Sequence, residues 1–287
     1  MPTLCGAIIA RDAERTIGRC LDSLAWADSL LVVVDDRTVD ATAELAVRHG
    51  ARVEVRPFQD FARQRNAAIE LAASDWVLFV DDDEVVTPEL AEEARRAVDA
   101  GEPDIAGYWV PRRNILFGRW VRHTGWGPDY QLRLLRSRDA RYREDRTVHE
   151  LVDLHGKAGY LSSPLVHYNY ATLKEFLHRQ RRYARMEAAD MRRRGLRIKP
   201  WSYLLQPWRQ FWRRFITWEG YRDGVLGLVL SSLMAYYELV TYLELRRLWR
   251  SQPGSPVEQR IPRADAEMPP GPAGASKSGP PAQDHRA

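Results

Sequence analysis

The chain of 287 residues has few cysteines and starts without the segments of a signal peptide. Its two cysteines, Cys5 and Cys20, form no C-x-x-C pair, which argues against a disulfide framework and a cysteine zinc site. The first residues, 1–14, carry neither a basic segment nor a long apolar segment. We therefore expect a first β-strand there and a reducing, cytoplasmic location.

Lysine is also scarce, and this weakens one enzymatic interpretation. The letters DDDEV at 81–85 fit the D-x-D-x-V nucleophile motif of haloacid dehalogenase-like phosphatases, which place that motif on the first strand of the domain and need a downstream lysine. Here three predicted strand–helix units precede the motif, and none of the four lysines, Lys157, Lys174, Lys199 and Lys277, stands in such a setting. A D-x-D phosphatase is kept as the weaker alternative.

The first hundred residues alternate strand-like and helix-like patterns. Short apolar runs such as LLVVVDD alternate with segments of helical periodicity such as TPELAEEARRAVDAG, in which Thr87 is a plausible cap and Gly101 a stop. This order predicts an α/β fold with a doubly wound, mostly parallel sheet. After Gly101, strand patterns without long helices predict a smaller, mixed acceptor lobe.

The composition of the chain changes twice towards its C-terminus. Residues 171–250 have helical patterns and carry 17 Lys and Arg against 7 Asp and Glu, whereas residues 1–170 carry 22 against 28. From residue 251 the chain is rich in proline and glycine, which predicts disorder. We predict a catalytic domain over 1–170, a basic helical extension over 171–250 and a disordered tail over 251–287.

Four acids, 81–84, follow the fourth predicted strand. Asp81 and Asp83 point the same way if the strand continues, and they lie at the carboxyl end of an inner parallel strand, where open α/β sheets bind ligands. Two such carboxylates can chelate a hard divalent cation, which can neutralise a diphosphate. The alternative is a solvated loop that favours the start of the next helix.

A second acid, Asp129, is the candidate for a general base. In GWGPDYQLRLLR a following strand would place Asp129, Gln131 and Arg133 on one face, and Tyr130, Leu132 and Leu134 on the other. The alternative is a structural ion pair between Asp129 and Arg133. Three further residues are candidates near the acceptor or the metal: Trp126 could stack on an acceptor sugar, His149 could complete a metal shell, and Glu150 is the second candidate base.

Five segments, in this order and at compatible spacing, resemble the family 2 glycosyltransferases of the GT-A fold. They read AIIARDAERTIGRCLDSL, VVVDDRTVDATAELA, FARQRNAAIELAASDWVLFVDDDE, GYWVPRRNILFGRWVRHTGWGPDYQLRLLR and VHE. Within that family they look like the bacterial subgroup of lipopolysaccharide-core glucosyltransferases, over residues 3–250. Two positions depart from the family pattern: Arg37 replaces the usual glycine, and Asp82 stands where a small residue is usual.

The resemblance implies a role for each matching position. Ala10, Arg11 and Asp35 would hold the base of a nucleoside diphosphate, and Arg65 and Asn66 would line the nucleotide pocket. Asp81 would touch the ribose or the metal, Asp83 would be the main ligand of Mn²⁺ or Mg²⁺, and Asp129 would be the base. The implied reaction is transfer with inversion from a nucleotide-sugar, a UDP-sugar first, to a lipid-linked or lipopolysaccharide-core acceptor.

The helical extension is rich in arginine and tryptophan. Apolar residues of the segment 201–215 recur near helical spacing, with arginines towards another side. Such a helix is typical of the membrane interface. The longest uncharged run there, 224–237, has 14 residues, whereas a span needs about 20. We predict peripheral attachment to the inner face of an anionic cell membrane, with an ordinary packed helical subdomain as the alternative, and no nucleic-acid partner.

The sequence therefore predicts a cell-envelope glycosyltransferase. A non-catalytic membrane adaptor with the same fold is the other alternative, although the intact acids Asp81, Asp83 and Asp129 argue against it.

Overall fold

The computed structural model describes residues 1–144 and 151–251 of the chain, and these fall into two compact units. The described part of the first unit comprises residues 1–113 and 129–168, without the gap. The described part of the second unit comprises residues 114–128 and 169–251. The domain boundary predicted at residue 170 stays a prediction, and the second unit also takes in a segment that the sequence assigned to the acceptor lobe. The predicted tail, apart from Ser251, lies outside the described residues.

The strands are distributed over the whole of the first unit and the start of the second. In chain order they are β1 Leu4–Ala10, β2 Ser29–Asp35, β3 Arg52–Arg56, β4 Trp76–Phe79, β5 Glu84–Val86, β6 Ile105–Leu116, β7 Arg119–Trp120, β8 Tyr130–Arg136, β9 Ala140–Tyr142, β10 Val152–Leu154, β11 Lys157–Tyr160 and β12 Leu165–Tyr170.

The helices fall into two groups along the chain. Those before residue 101 are α1 Ile17–Asp22, α2 Thr42–Arg48, α3 Phe61–Ala72 and α4 Pro88–Ala100, and those after residue 172 are α5 Leu173–Arg193, α6 Ser202–Trp212 and α7 Gly224–Arg250.

The core of the first unit is a parallel sheet in the order β3-β2-β1-β4. Alternate residues of each strand point to opposite faces. On one face Leu4 and Ile8 join a cluster that includes residues of α1, α2 and α4, and on the other Cys5 and Ala7 join a cluster that includes residues of α3. The prediction of a doubly wound α/β sheet is therefore confirmed.

The strands after residue 101 extend this sheet and make it mixed. β8 runs antiparallel to β4, and β6 runs antiparallel to β8. β9 and β10 form a separate antiparallel pair. The segment predicted as a smaller mixed lobe thus adds antiparallel strands to the edge of the parallel sheet, beside the end of β4.

Local sequence determines where α4 begins and ends. The Thr87 side chain accepts a hydrogen bond from the Leu90 backbone N–H, and Pro88 occupies the first turn, where its missing N–H is not needed. Gly101 ends the helix in the left-handed conformation, with φ of 60°. The predicted cap and stop are confirmed.

The second unit is helical and has its own apolar core. Trp126, Phe176 and Leu230 are buried in one cluster, so α5, α7 and the segment 114–128 share a core. By length and composition the stretch Gly220–Arg250 could cross a membrane, with a mean hydropathy of 1.4 in its most apolar window. Core helices of soluble proteins pass the same test, and a third of that window is buried, so this is weak evidence.

Asp223 ties the segment 114–128 into the second unit. One carboxylate oxygen accepts from the Arg122 backbone N–H at 3.1 Å, and the other accepts from the His123 backbone N–H at 3.0 Å and the Thr124 hydroxyl at 2.9 Å. The Asp223 side chain is 6% exposed, so water cannot easily replace it.

We expect Asp223→Ala to lower the free energy of unfolding by about 1–3 kcal/mol, because it leaves several donors without their acceptor. Urea denaturation of the full chain measures the loss. Asp190→Ala is the matched control, since Asp190 is 47% exposed and should cost about 0.5 kcal/mol or less. Equal losses for the two variants would contradict the role given to Asp223.

Candidate active site at the end of the fourth strand

The acidic turn 81–84 begins where β4 leaves the core. All four residues of β4 are buried, so the polar residues that follow are the first to reach the sheet edge. The Glu84 carboxylate accepts a hydrogen bond from the Asp81 backbone N–H at 2.9 Å, and the Asp81 carbonyl accepts from the Glu84 backbone N–H at 2.9 Å. Hydrogen bonds between the first and the last residue of the turn therefore hold its conformation.

Two arginines hold the Asp81 carboxylate. Arg133 donates from both terminal nitrogens, one of them at 2.9 Å, and Arg65 donates at 3.3 Å. Desolvation opposes ionisation, but the charges of Arg133 and Arg65 outweigh it and hold the pKa of Asp81 far below its usual range. Asp81 is therefore a fixed negative charge, and its side chain is still one-third exposed.

Asp82 and Asp83 differ from Asp81 in having no arginine against them in the part of the chain that the structure describes. Asp82 accepts from the Thr16 hydroxyl at 2.9 Å, and burial together with the charges of Asp83 and Asp81 raises the pKa of Asp82 to about 7. Asp83 lies 3.3 Å from Nε2 of His167. The turn therefore concentrates negative charge beside an accessible carboxylate.

This donor set fits a hard divalent cation. Within residues 1–144 and 151–251, no three His, Cys, Asp or Glu side chains form a metal-binding group. Mg²⁺ in nucleotide sites is commonly held by one or two carboxylates, with phosphate and water completing the shell. Asp83 and Asp81 supply carboxylate oxygens of that kind, at a place where a cation would relieve the repulsion felt by Asp82.

Glu84 connects the acidic turn to Asp129. Its carboxylate is fully buried, and one oxygen lies 3.3 Å from both Arg112 and Arg133. Arg112 in turn donates to Asp129 from two nitrogens, at 2.8 and 2.7 Å. One continuous network of charges, all buried except for the partly exposed Asp81, therefore runs from Asp81 through Arg133, Glu84 and Arg112 to Asp129.

Asp129 is positioned by neighbours on both sides. Gln131 donates to its other oxygen at 2.7 Å, and Asp129 itself is 5% exposed. The pairing of β6 with β8 brings Arg112 opposite Asp129, where the Arg112 backbone N–H also donates to the Asp129 carbonyl at 2.7 Å. The ion pair that the sequence suggested as an alternative, between Asp129 and Arg133, is wrong, because Arg112 takes the place of Arg133.

A β-bulge explains why Arg133 leaves Asp129. The register between β6 and β8 shifts at Tyr108/Trp109, so that consecutive residues of β6 pair with Leu134 and Leu132 and skip Arg133. Leu132 consequently packs on the α3 face and Leu134 on the opposite face. The predicted alternation is therefore wrong beyond Leu132, and Arg133 binds Asp81 instead of sharing a face with Asp129.

The carboxyl ends of β1 and β2 form a second polar cluster. Ala10 pairs with Val34, which brings Arg11 to 3.4 Å from Asp35. Asp35 is 3% exposed, and Arg37 donates to it from its backbone N–H and from two side-chain nitrogens. Burial opposes ionisation, but the Arg37 hydrogen bonds outweigh it and hold the pKa of Asp35 below its usual value.

Two predicted site residues have structural surroundings instead. Asn66 is buried and exchanges hydrogen bonds with the backbone of Tyr142, at 2.9 and 2.8 Å, so its amide does not line an open pocket. Trp126, in the second unit, is 5% exposed, with Phe176 at 6.4 Å and the Arg214 guanidinium over its ring at 5.2 Å. An acceptor sugar could not stack on that ring. His149 and Glu150 lie outside the described residues.

The sequence alone did not predict Glu84 and Arg112 as parts of this cluster. Glu84 stood next to the paired acids, and Arg112 lay in one of the motifs. Arg112 and Arg113 point to opposite faces of β6. The sequence could show which of them faces Asp129 only if the register between β6 and β8 were known. Arg37 was noticed as a departure, and the structure shows that it covers Asp35.

The chain is similar to known proteins over most of the segments described above. The model of the family described as "Glycosyl transferase family 2" matches residues 7–192. The lipopolysaccharide core biosynthesis glycosyltransferase LpsC of Rhizobium meliloti is 25% identical over 83% of this chain and 90% of its own length. An uncharacterised glycosyltransferase of Rickettsia typhi is 23% identical over 84% of this chain and 86% of its own length.

Solved structures are more distant. S. aureus TarS has a TM-score of 0.45 at 16% identity, over 85% of this chain and 54% of its own. Glucosyl-3-phosphoglycerate synthase of Mycobacterium tuberculosis, in complex with Mn²⁺, UDP-glucose and phosphoglyceric acid, has a TM-score of 0.35 at 23% identity, over 39% of this chain and 44% of its own.

The buried network makes Glu84 a stability determinant. We expect Glu84→Ala to lower the free energy of unfolding by about 3–5 kcal/mol, because two buried guanidinium groups lose a shared carboxylate. Urea denaturation measures this, and Glu84→Gln, which retains an oxygen for the Asp81 backbone N–H, should cost less. Glu92→Ala is the control on a surface pair, since Glu92 is 74% exposed. If Glu84→Ala cost no more than Glu92→Ala, the network would not be stabilising.

Proposed function

The chain belongs to glycosyl transferase family 2, as its motifs predicted, and from this premise we propose that it transfers a sugar, with inversion, from a nucleoside-diphosphate sugar to a hydroxyl group of a lipid-linked or lipopolysaccharide-core acceptor. The observation that carries the proposal is the buried network from Asp81 to Asp129. This network supports the proposal because it would hold a donor-side acid and a candidate base at a set spacing.

The donor nucleotide is proposed to bind at the ends of β1 and β2. Ala10, Arg11 and Asp35 would hold the base or the ribose, and Arg65 would line the pocket beside Asp81. Arg37 covers Asp35, but its own side chain is 48% exposed. Such a side chain has room to turn into water, so a nucleotide donor group that outcompetes it can take its place on Asp35.

The diphosphate is proposed to lie over the acidic turn. Asp83, with Asp81 and His149, would hold a divalent cation, Mn²⁺ or Mg²⁺. When bound, such a cation supplies positive charge that stabilises the departing diphosphate. Arg65 and Arg133 keep Asp81 ionised and oriented. Since Asp81 is already neutralised by these two arginines, we assign the main metal-binding role to Asp83.

Asp129 is proposed to act as the general base. It would take the proton from the acceptor hydroxyl as that oxygen forms its bond to the anomeric carbon, while the bond from this carbon to the diphosphate breaks on the opposite side. Arg112 and Gln131 hold Asp129 by three hydrogen bonds, so the base is fixed in direction.

The acceptor is proposed to be membrane-bound, and the chain to work on the inner face of the cell membrane. The R. meliloti relative is named for lipopolysaccharide core biosynthesis. The basic, tryptophan-rich extension, with 17 Lys and Arg against 7 Asp and Glu over residues 171–250, supports peripheral attachment.

We expect Asp129→Asn to lower kcat by about 10²–10⁴-fold, because the acceptor hydroxyl loses its base. Nucleotide affinity, measured by calorimetry with UDP and Mn²⁺, should change less than threefold. Gln131→Ala removes one hydrogen bond to Asp129 and should reduce kcat less than Asp129→Asn does. Should Glu150→Gln abolish transfer while Asp129→Asn retains it, Glu150 is the base and our assignment is wrong.

Binding of UDP should raise the melting temperature by several degrees only when Mn²⁺ is present, since a ligand that binds the folded state stabilises it by mass action. UDP-glucose is the first donor to test. Asp83→Ala should remove the Mn²⁺-dependent part of the shift, and Asp104→Ala, on a surface pair with Lys157, should retain it. A shift unaffected by EDTA or by Asp83→Ala would contradict the metal site.

A further inference from the structure

The helix α6 exposes an unusual amount of apolar surface. None of its residues is buried, although most of them are apolar. Five large apolar side chains of this segment, which we call the α6 face, are between 47% and 82% exposed: Trp201, Leu204, Leu205, Trp208 and Trp212. Contiguous exposed apolar surface of this kind marks an interaction site.

The spacing of these residues places them on one side of the helix. From Trp201 they follow at three, four, seven and eleven residues, which is the period of an amphipathic helix. Residues 194–201 connect α5 to α6. Tyr203, on another side of the helix, packs against Tyr242 of α7 with 6.4 Å between the ring centroids, whereas every side chain of the α6 face is at least 47% exposed.

Cationic side chains border the α6 face. Lys199 lies over the Trp201 ring at 5.3 Å, and Arg209 and Arg213 are exposed within the same segment. Trp208, Trp212, Arg209 and Arg213 also line a groove of about 710 Å³. Tryptophan rings with flanking arginine and lysine prefer the boundary between lipid headgroups and acyl chains, where both halves of the pattern are satisfied.

The net charge of the helical extension indicates which kind of partner can cover the α6 face. Residues 171–250 carry 17 Lys and Arg against 7 Asp and Glu. A second copy of the same face would bring like charges together, whereas an anionic bilayer attracts each cation near its surface. A helix of 11 residues is about 16 Å long, too short to cross the hydrocarbon core but long enough to lie along the interface.

We propose that the α6 face docks on an anionic phospholipid bilayer, with α6 parallel to the membrane plane, its tryptophans and leucines below the headgroups, and Arg209 and Arg213 paired with lipid phosphates. The inference rests on the proposed membrane location of this chain. Its test measures vesicle binding alone, so the docking surface can fail while the transfer reaction stands.

The experiment is flotation of the full chain with vesicles of phosphatidylcholine alone or with about one-third phosphatidylglycerol. We expect binding to the anionic vesicles and at least tenfold weaker binding to the neutral ones. Trp208→Gln with Trp212→Gln should weaken binding at least tenfold. Arg209→Gln with Arg213→Gln should weaken it by about fivefold per charge and reduce the preference for anionic lipid.

The matched control replaces exposed apolar residues of the first unit, Val47→Gln with Val55→Gln, both 60% exposed, and should bind as the unchanged protein does. Circular dichroism checks that each variant is folded. Leu204→Gln, at the most exposed position of the face, is a milder variant that should still weaken binding and that keeps the test informative if the tryptophan pair unfolds the helix.

Three results would overturn the docking surface. The first is vesicle binding by the tryptophan variant that equals that of the unchanged protein. The second is light scattering that shows a dimer for the unchanged protein and a monomer for the variant, which would mean that a second copy covers the face. The third is retention in membranes after an alkaline carbonate wash, which would indicate that α7 spans the bilayer.

Discussion

The buried carboxylate of Glu84 is the interaction on which the candidate site depends. Guanidinium groups are costly to bury unless acids compensate them, and here Glu84 lies between two of them, Arg112 and Arg133. Each arginine also pairs with a second acid, Arg112 with Asp129 and Arg133 with Asp81. The spacing of the two outer acids is consequently set by a chain of charge pairs inside the protein.

Much of the scaffold follows from the sequence, because its signals are local. The alternation of buried strands with amphipathic helices, the cap at Thr87 and the stop at Gly101 are each determined within a few residues. The acids of the site were identified in the same way, since their places at strand ends follow from the strand pattern. The partners of these acids inside the protein depend on strands that pair although they lie far apart in the chain. The periodicity of the sequence carries no information about that pairing.

The bulge at Arg133 shows this limit clearly. A regular strand would have directed Arg133 towards Asp129, and a single skipped residue in the pairing with β6 directs it to Asp81. Trp126 is a second example: the sequence suggested a ring that could stack on an acceptor sugar, whereas packing against Phe176 and Arg214 covers it. The segment 114–128 was assigned to the catalytic domain by sequence adjacency, but its hydrogen bonds to Asp223 place it with the helices.

The pairing of Asp35 with Arg37 changes how affinity at that strand end should be understood. A ligand that reaches Asp35 exchanges one hydrogen-bonded partner for another and does not simply replace water. The free energy gained is the difference between two well-formed pairs, so weak donors are rejected by the protein's own side chain. A group that binds Asp35 would therefore have to form stronger hydrogen bonds than Arg37 does, and this requirement would make the position selective.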